Sequence, residues 1–250
     1  MKSKRVRADV ACTERGLAPS RAQAQALILA GQIWSGERRV DKPGDLLPGD
    51  APLHVRSGPR FVSRGGDKLD GALGTFEPLG LVVAGRRCVD VGASTGGFTD
   101  CLLGRGAASV VAVDVGWGQL ADKLRRDERV VVRERTNART LQPDDVGGAV
   151  DLVVVDASFI GIGKLVDAIA RLLRPGGDLC ALVKPQFEAG RQAASRGRGV
   201  IRDAAIRDAA IAEARASIEG AGFDVVAETD SSVAGPRGNV ERFVWAKKRS

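Results

Sequence analysis

The chain has 250 residues, 44% hydrophobic and 28% charged. That is room for one large domain or a small one plus a medium one, with a composition that excludes a mainly disordered chain. The net charge of +7 suggests a polyanionic partner, and the excess is uneven: residues 1–60 hold 11 Lys and Arg against 6 Asp and Glu, residues 61–250 hold 27 against 25.

The basic start MKSKRVRADVACTERG has no apolar stretch behind it and so is not a secretory signal. No run approaches the roughly 18 apolar residues of a membrane span, so a cytoplasmic chain with no membrane partner is expected. Cys12, Cys88, Cys101 and Cys180 lie far apart, with only His54 as a possible imidazole partner, which argues against a zinc site or a disulfide framework. No metal is expected. His54, in a strand-like stretch, reads as structural.

Helices are predicted over Ala8–Arg15 and Ser20–Ala30, the second capped by Ser20 and stopped by Gly31. Short strands and turns follow in QIWSGERRV and APLHVRS. Arg5, Arg7, Arg15 and Arg21 cluster around the two helices, where they form either a phosphate-facing track or an ordinary solvated face. Gly58, Pro59, Gly65 and Gly66 then break any periodicity within RSGPRFVSRGG, which divides the chain into a small domain 1–60, a linker 61–66 and a larger domain 67–250.

Beyond the linker, Leu69, Ala72, Leu73 and Phe76 fall on one stripe of a helix. Lys68 sits roughly 100° from Leu69, at the stripe's edge, where a lysine ordinarily snorkels to water. Seven strand-like runs come next: RCVDV, SVVAVDV, RVVVRE, DLVVVD, DLCALVK, FDVVAE and RFVWAK. The first five are Val-rich and separated by helical segments, as in a mostly parallel sheet covered on both faces. The last two suit a hairpin at its edge. This is a doubly wound α/β domain, whose ligand should lie beyond the carboxyl ends of the strands.

The first such end is VDVGASTGGFTDCLL, where Gly92, Gly96 and Gly97 follow a strand and open a helix. The spacing matches neither G-x-x-x-x-G-K-[ST] nor G-x-G-x-x-G, which disfavours nucleoside triphosphate hydrolysis and weakens a dinucleotide reading. The next strand ends in Asp114, 22 residues beyond Gly92, and a carboxylate there can accept both hydroxyls of a ribose. With Asp90 before the turn, the pattern points to an adenosine-containing ligand, S-adenosylmethionine rather than NAD.

The stretches SRGGDKL, VDVGASTGGFTDCLL, DASFI, LVKPQFE and GPRGNVE resemble the TlyA family of ribosomal RNA (cytidine-2'-O)-methyltransferases, also labelled haemolysins, and RADVACTERGLAPSRAQAQALILAG is similar to that family's N-terminal S4 RNA-binding domain. The resemblance implies an S4-like α+β domain followed by a Rossmann-like, FtsJ-like methyltransferase domain with a mostly parallel seven-stranded sheet. It implies S-adenosylmethionine as cofactor, ribosomal RNA of the small or large subunit or both as partner, and no stable protein partner. The FtsJ-like class uses a Lys-Asp-Lys-Glu tetrad, which falls here on Lys68, Asp156, Lys184 and Glu241. The cofactor would be held by Asp90, Gly92, Ser94, Gly96, Gly97, Asp114, Asn137 and Asp156, and RNA by Arg5, Arg7, Arg15, Arg21 and Arg64. Ala8, Cys12 and Thr13 stand where the family usually carries larger apolar residues, which predicts a thin core for the small domain.

A ribose 2'-hydroxyl is a poor nucleophile, and its attack on a sulfonium methyl needs in-line placement and removal of a proton. On this reading Lys184 deprotonates the hydroxyl, Asp156 positions it, and Lys68 and Glu241 complete the cluster. Two other classes remain open: an RNA-binding or ribosome-assembly module without catalysis, and a membrane-lytic protein.

Overall fold

The computed structural model describes residues 5–56, 59–188, 200–235 and 238–250. Gly58 of RSGPRFVSRGG, and Pro236 and Arg237 of GPRGNVE, lie outside them. The chain separates into two compact units, Met1–Arg60 and Phe61–Ser250.

In the first unit the predicted helices form as α1 (Ala8–Glu14) and α2 (Arg21–Leu29). Ser20 Oγ accepts from Gln23 N at 3.2 Å, satisfying one of the free amides of the α2 amino terminus, and Gly31 turns the chain away at φ +70°. Strand β1 (Arg5–Arg7) pairs antiparallel with β4 (Leu46–Pro48), while β2 (Ile33–Ser35) pairs with β3 (Arg38–Arg39) and β5 (Leu53–Val55). The core is thin, as expected: its buried residues are Ala8, Cys12, Ala18, Ala24, Ile28, Ile33 and Val40.

The second unit begins before the expected boundary. Phe61 is buried in its core, and helix α3 (Arg64–Phe76) starts inside the stretch expected as linker. Ser63 Oγ accepts from Gly65 N at 3.3 Å, so SRGG is a cap and first turn; counting glycines as breakers hid this. Leu69, Ala72, Leu73 and Phe76 are buried on one face, as the stripe requires. Each large side chain among them contributes roughly 1.5–3 kcal/mol of burial.

Seven strands follow: β6 (Arg87–Val91), β7 (Ser109–Val113), β8 (Val130–Arg133), β9 (Val150–Val155), β10 (Leu173–Val183), β11 (Phe223–Asp230) and β12 (Arg242–Lys248). They form one sheet in the order β11-β12-β10-β9-β6-β7-β8, parallel from β10 to β8, with β12 antiparallel to both β10 and β11. Alternate residues serve opposite faces. Val89, Val91, Val153 and Val155 join helices α6 (Val166–Leu172) and α8 (Ala204–Gly220) on one side. Cys88, Leu152 and Val154 join α3 and α4 (Gly97–Gly104) on the other. Two short helices, α5 (Asp122–Arg125) and α7 (Pro185–Glu188), are the other α-helices among the described residues of this unit.

Register places the chemistry. Val91 lies opposite both Val113 and Val155, so Gly92, Asp114 and Asp156 leave three adjacent strands at one level. The strand order reverses between β6 and β9, the switch point where open α/β sheets bind ligands. Because β12 runs antiparallel with Val183 opposite Arg242, its amino-terminal neighbour Glu241 reaches the same edge as Lys184.

The helix amino termini of α3 and α4 pack closely because Gly97 has no side chain: a Cβ there would lie 2.2 Å from Ser63 Oγ and 2.7 Å from Gly66 N. Gly97→Ala is expected to lower Tm by about 2–12 °C, from an overpacking cost of roughly 1–3 kcal/mol. Gly74→Ala, at an exposed helix position with nothing within 4 Å of the added carbon, should instead raise it. Thermal unfolding followed by circular dichroism compares the two, and equal shifts would contradict the packing account.

Candidate active site

Two cavities open at the carboxyl edge of the sheet. The first, of about 360 Å³, is lined by Gly92, Ser94, Asp114, Asn137, Asp156 and Ser158 among others. The second, of about 340 Å³, is lined by Ser63, Arg64, Lys68, Ser94, Gly97 and Asp156 among others. Gly92, Ser94 and Asp156 border both.

Gly92 turns at φ +86°, and a Cβ on it would lie 2.8 Å from the Asp156 carbonyl oxygen, so the turn can pass the end of β9 only without a side chain. Ser94 holds a left-handed backbone, φ +48°, and its N–H donates to Asp114 Oδ2 at 2.8 Å, while Gly116 N donates to Asp114 Oδ1 at 2.6 Å. Both carboxylate oxygens are thereby fixed with lone pairs still free for a ligand. Asn137 lines the same cavity while its Oδ1 caps the next turn through Arg139 N at 3.1 Å.

Two of the expected cofactor residues lie under the turn rather than in a cavity. A Cβ on Gly96 would lie 2.3 Å from Leu124 Cδ1, so this glycine, at φ +99°, serves packing. Asp90 is fully buried in β6, with Oδ2 accepting from Thr99 N at 2.9 Å and Thr99 Oγ1 at 2.7 Å, which ties β6 to α4. Its Oδ1 has no partner, and burial pushes the carboxyl up to about 7 against the pull of Thr99.

The four tetrad positions converge as two ion pairs. Lys68 is only 6% exposed and its Nζ donates to Glu241 Oε2, itself in a side chain 1% exposed, at 2.5 Å. The snorkelling reading of its helix position fails because a partner 173 residues away is brought over it. Lys184 Nζ lies 2.6 Å from Asp156 Oδ1 in an ion pair that lacks hydrogen-bond angles, and donates to Ser158 Oγ at 2.9 Å. Gln186 Nε2 donates to Glu241 Oε1 at 3.4 Å, joining the β10 end to the Lys68 pair. Ser158 and Gln186 were missed by sequence reasoning; their only signal was a place inside DASFI and VKPQF.

Of the arginines expected on RNA, Arg7 Nη2 and Arg21 Nε both lie 3.0 Å from Asp9 Oδ2. Asp9 is fully buried, and the Arg7 guanidinium holds its carboxyl well below the usual range. Arg15 donates to Gly49 O at 2.6 Å and to Ala51 O. Arg5 is exposed on β1, and Arg64, at the mouth of the second cavity, donates to Ala234 O at 3.1 Å.

The first cavity has the donor and acceptor set that suits S-adenosylmethionine: the fixed Asp114 carboxylate, the glycine turn at Gly92 and the Asn137 amide are all in its lining. The family model of FtsJ-like methyltransferase matches residues 61–248 and that of the S4 domain residues 6–51. The 16S/23S rRNA (cytidine-2'-O)-methyltransferase TlyA of Mycobacterium tuberculosis is 45% identical over 250 residues, covering 99% of this chain and 92% of that protein. Hemolysin A of Brachyspira hyodysenteriae is 39% identical over 237 residues, covering 94% and 97%. A solved structure of a hemolysin candidate from Streptococcus thermophilus superposes with a TM-score of 0.74 at 38% identity, covering 98% of this chain and 89% of its own.

The Asp90 carboxyl gives a pH test. Its folded value, about 7, stands above the ordinary 3.8, so the stabilisation it carries is present below about pH 4 and is lost as pH rises through about 7. The unfolding free energy of the protein minus that of Asp90→Asn should therefore fall by a few kcal/mol between pH 5 and 8, measured by urea unfolding; a constant difference would contradict the assignment.

Proposed function

The chain belongs to the TlyA family of FtsJ-like methyltransferases, and on that premise we propose that it transfers a methyl group from S-adenosylmethionine to the ribose 2'-hydroxyl of a cytidine in ribosomal RNA. The observation that carries this reading is the position of Asp156, which borders both cavities and pairs with Lys184. A methyl donor in the first cavity and a ribose in the second would meet there.

Bound S-adenosylmethionine supplies the methyl as an electrophilic sulfonium carbon. Asp114 would accept from the hydroxyls of its ribose, Asn137 would meet the adenine edge, and Gly92 and Ser94 would leave room for the methionine end, while Gly97 packs against Ser63 and lines the second cavity instead. Asp90 and Gly96 support this turn from below. Lys184 takes the proton of the target hydroxyl, with Asp156 holding Nζ in place. Lys68, fixed by Glu241, orients the target ribose from the second cavity. Two buried ion pairs are a poor device for stability, since desolvation offsets most of their attraction; their placement on one edge is what a proton-handling site needs.

In the S4 unit, Arg7 and Arg21 share one buried anchor and so present two guanidinium groups together to an RNA phosphate track, joined by Arg5. In the second unit, Arg64 lines the Lys68 cavity and would meet RNA there. Arg15 contributes by bracing its own unit. Recognition of this kind rests on phosphates and RNA shape, and weakens as salt rises. A ribosomal RNA substrate supports a cytoplasmic location. A lytic activity, suggested only by the names of relatives, finds no support among the described residues, where no helix is long and apolar enough to cross a membrane.

Incubation with labelled S-adenosylmethionine and separated ribosomal subunits tests the reading. Label is expected in the RNA. Lys184→Ala should lower its rate at least about 100-fold with cofactor affinity little changed, and full turnover in that variant would contradict the assignment. Asp114→Ala should weaken cofactor binding roughly tenfold or more, the loss of two hydrogen bonds, read by calorimetry. RNA binding without label, or leakage of liposomes without label, would instead favour an assembly factor or a lysin.

A further inference from the structure

Lys184 Nζ is surrounded by three acceptors: Asp156 Oδ1 at 2.6 Å, Ser158 Oγ at 2.9 Å and the Asp156 carbonyl oxygen at 3.4 Å. The contacts to Ser158 Oγ and the Asp156 carbonyl have hydrogen-bond geometry, whereas Asp156 Oδ1 is met as an ion pair alone. A neutral amine has two N–H groups and one lone pair. Donating to Ser158 Oγ and to the carbonyl uses both N–H groups and leaves the lone pair for the hydroxyl of the target ribose.

We propose that Ser158 is the positioning residue of the transfer: its hydroxyl oxygen accepts from Lys184 Nζ both before and after the proton moves, which aims the amine lone pair at the target hydroxyl. Nζ thus keeps its place in both protonation states. The inference rests on Lys184 being the base. In the step the O2'–H bond breaks and an Nζ–H bond forms, a lone pair of O2' makes the new C–O bond, and the electrons of the S–C bond stay on sulfur. Ser158 gains and loses no proton.

The turn that carries Ser158 is pinned to the segment that carries Lys184. Ile162 N donates to Glu188 Oε1 at 2.8 Å, and the rings of Phe159 and Phe187 lie 5.2 Å apart. Phe159, immediately after Ser158, holds φ +67°, a left-handed conformation uncommon for a bulky residue. The two contacts hold the turn beside the Lys184 segment, and Ser158 itself lines the first cavity.

The test compares the full chain with Ser158→Ala, Ser158→Thr and Lys184→Ala, using ribosomal subunits and labelled S-adenosylmethionine, with cofactor affinity from calorimetry. Ser158→Ala is expected to lower kcat about 10–100-fold while KM for the subunits and cofactor affinity stay within about twofold, the pattern of an interaction needed in the transition state. Ser158→Thr keeps the hydroxyl and should recover kcat to within about threefold. An Ala variant as fast as the parent, or a Thr variant as slow as Ala, overturns the inference. If Ser158→Ala is fast while Lys184→Ala is dead, the inference fails and the proposed function stands; if the parent itself transfers no label, both fail.

Discussion

The site depends on one constraint of sheet topology. A parallel strand brings only its carboxyl end to the ligand edge, so β6, β7 and β9 deliver Gly92, Asp114 and Asp156 there in register. A fourth kind of group, presented from the amino end of a strand, requires a strand of opposite direction. Strand β12, lodged between β10 and β11, supplies it: Arg242 opposite Val183 puts Glu241 beside Lys184. Lys68 arrives from a helix, and its buried ammonium is matched by that carboxylate. Without the antiparallel insertion Lys68 would be a buried, unpaired cation, which costs several kcal/mol.

Charge is balanced pair by pair at this edge. Lys68 with Glu241, and Lys184 with Asp156, are each neutral together, so the site can hold two cations side by side in little solvent. The pairs are not equivalent. Glu241 also accepts from Gln186, whereas the Lys184 pair is open to the cofactor cavity through Asp156 and Ser158. The more enclosed pair suits a fixed orienting role, and the more open pair suits proton movement.

Much of the fold was legible because it follows from local pattern. RCVDV is β6 to the residue, and the helices of the first unit end within one residue of their expected bounds. What local pattern left out is contact in three dimensions. The helix stripe alone made Lys68 look solvated, because Glu241 is 173 positions away, and only the resemblance gave it a role. Asp90 and Gly96 were read as cofactor contacts because sequence spacing does not say which side of a turn faces the cavity, and Thr99 and Leu124 occupy them instead. Arg7 and Arg21 were visible as charge, but not their shared anchor Asp9. Ser158 carried no pattern at all; only the geometry around Lys184 gives it a role.

The central claim is that Asp156 marks the meeting of a methyl donor and a lysine-lined acceptor cavity. A crystal structure with S-adenosylmethionine bound tests it most directly. The account predicts the adenosine ribose on Asp114 and the sulfonium methyl at the opening shared by the two cavities, within about 4 Å of Asp156, van der Waals contact. A methyl turned away from Asp156, or a cofactor lodged in the Lys68 cavity, would contradict it.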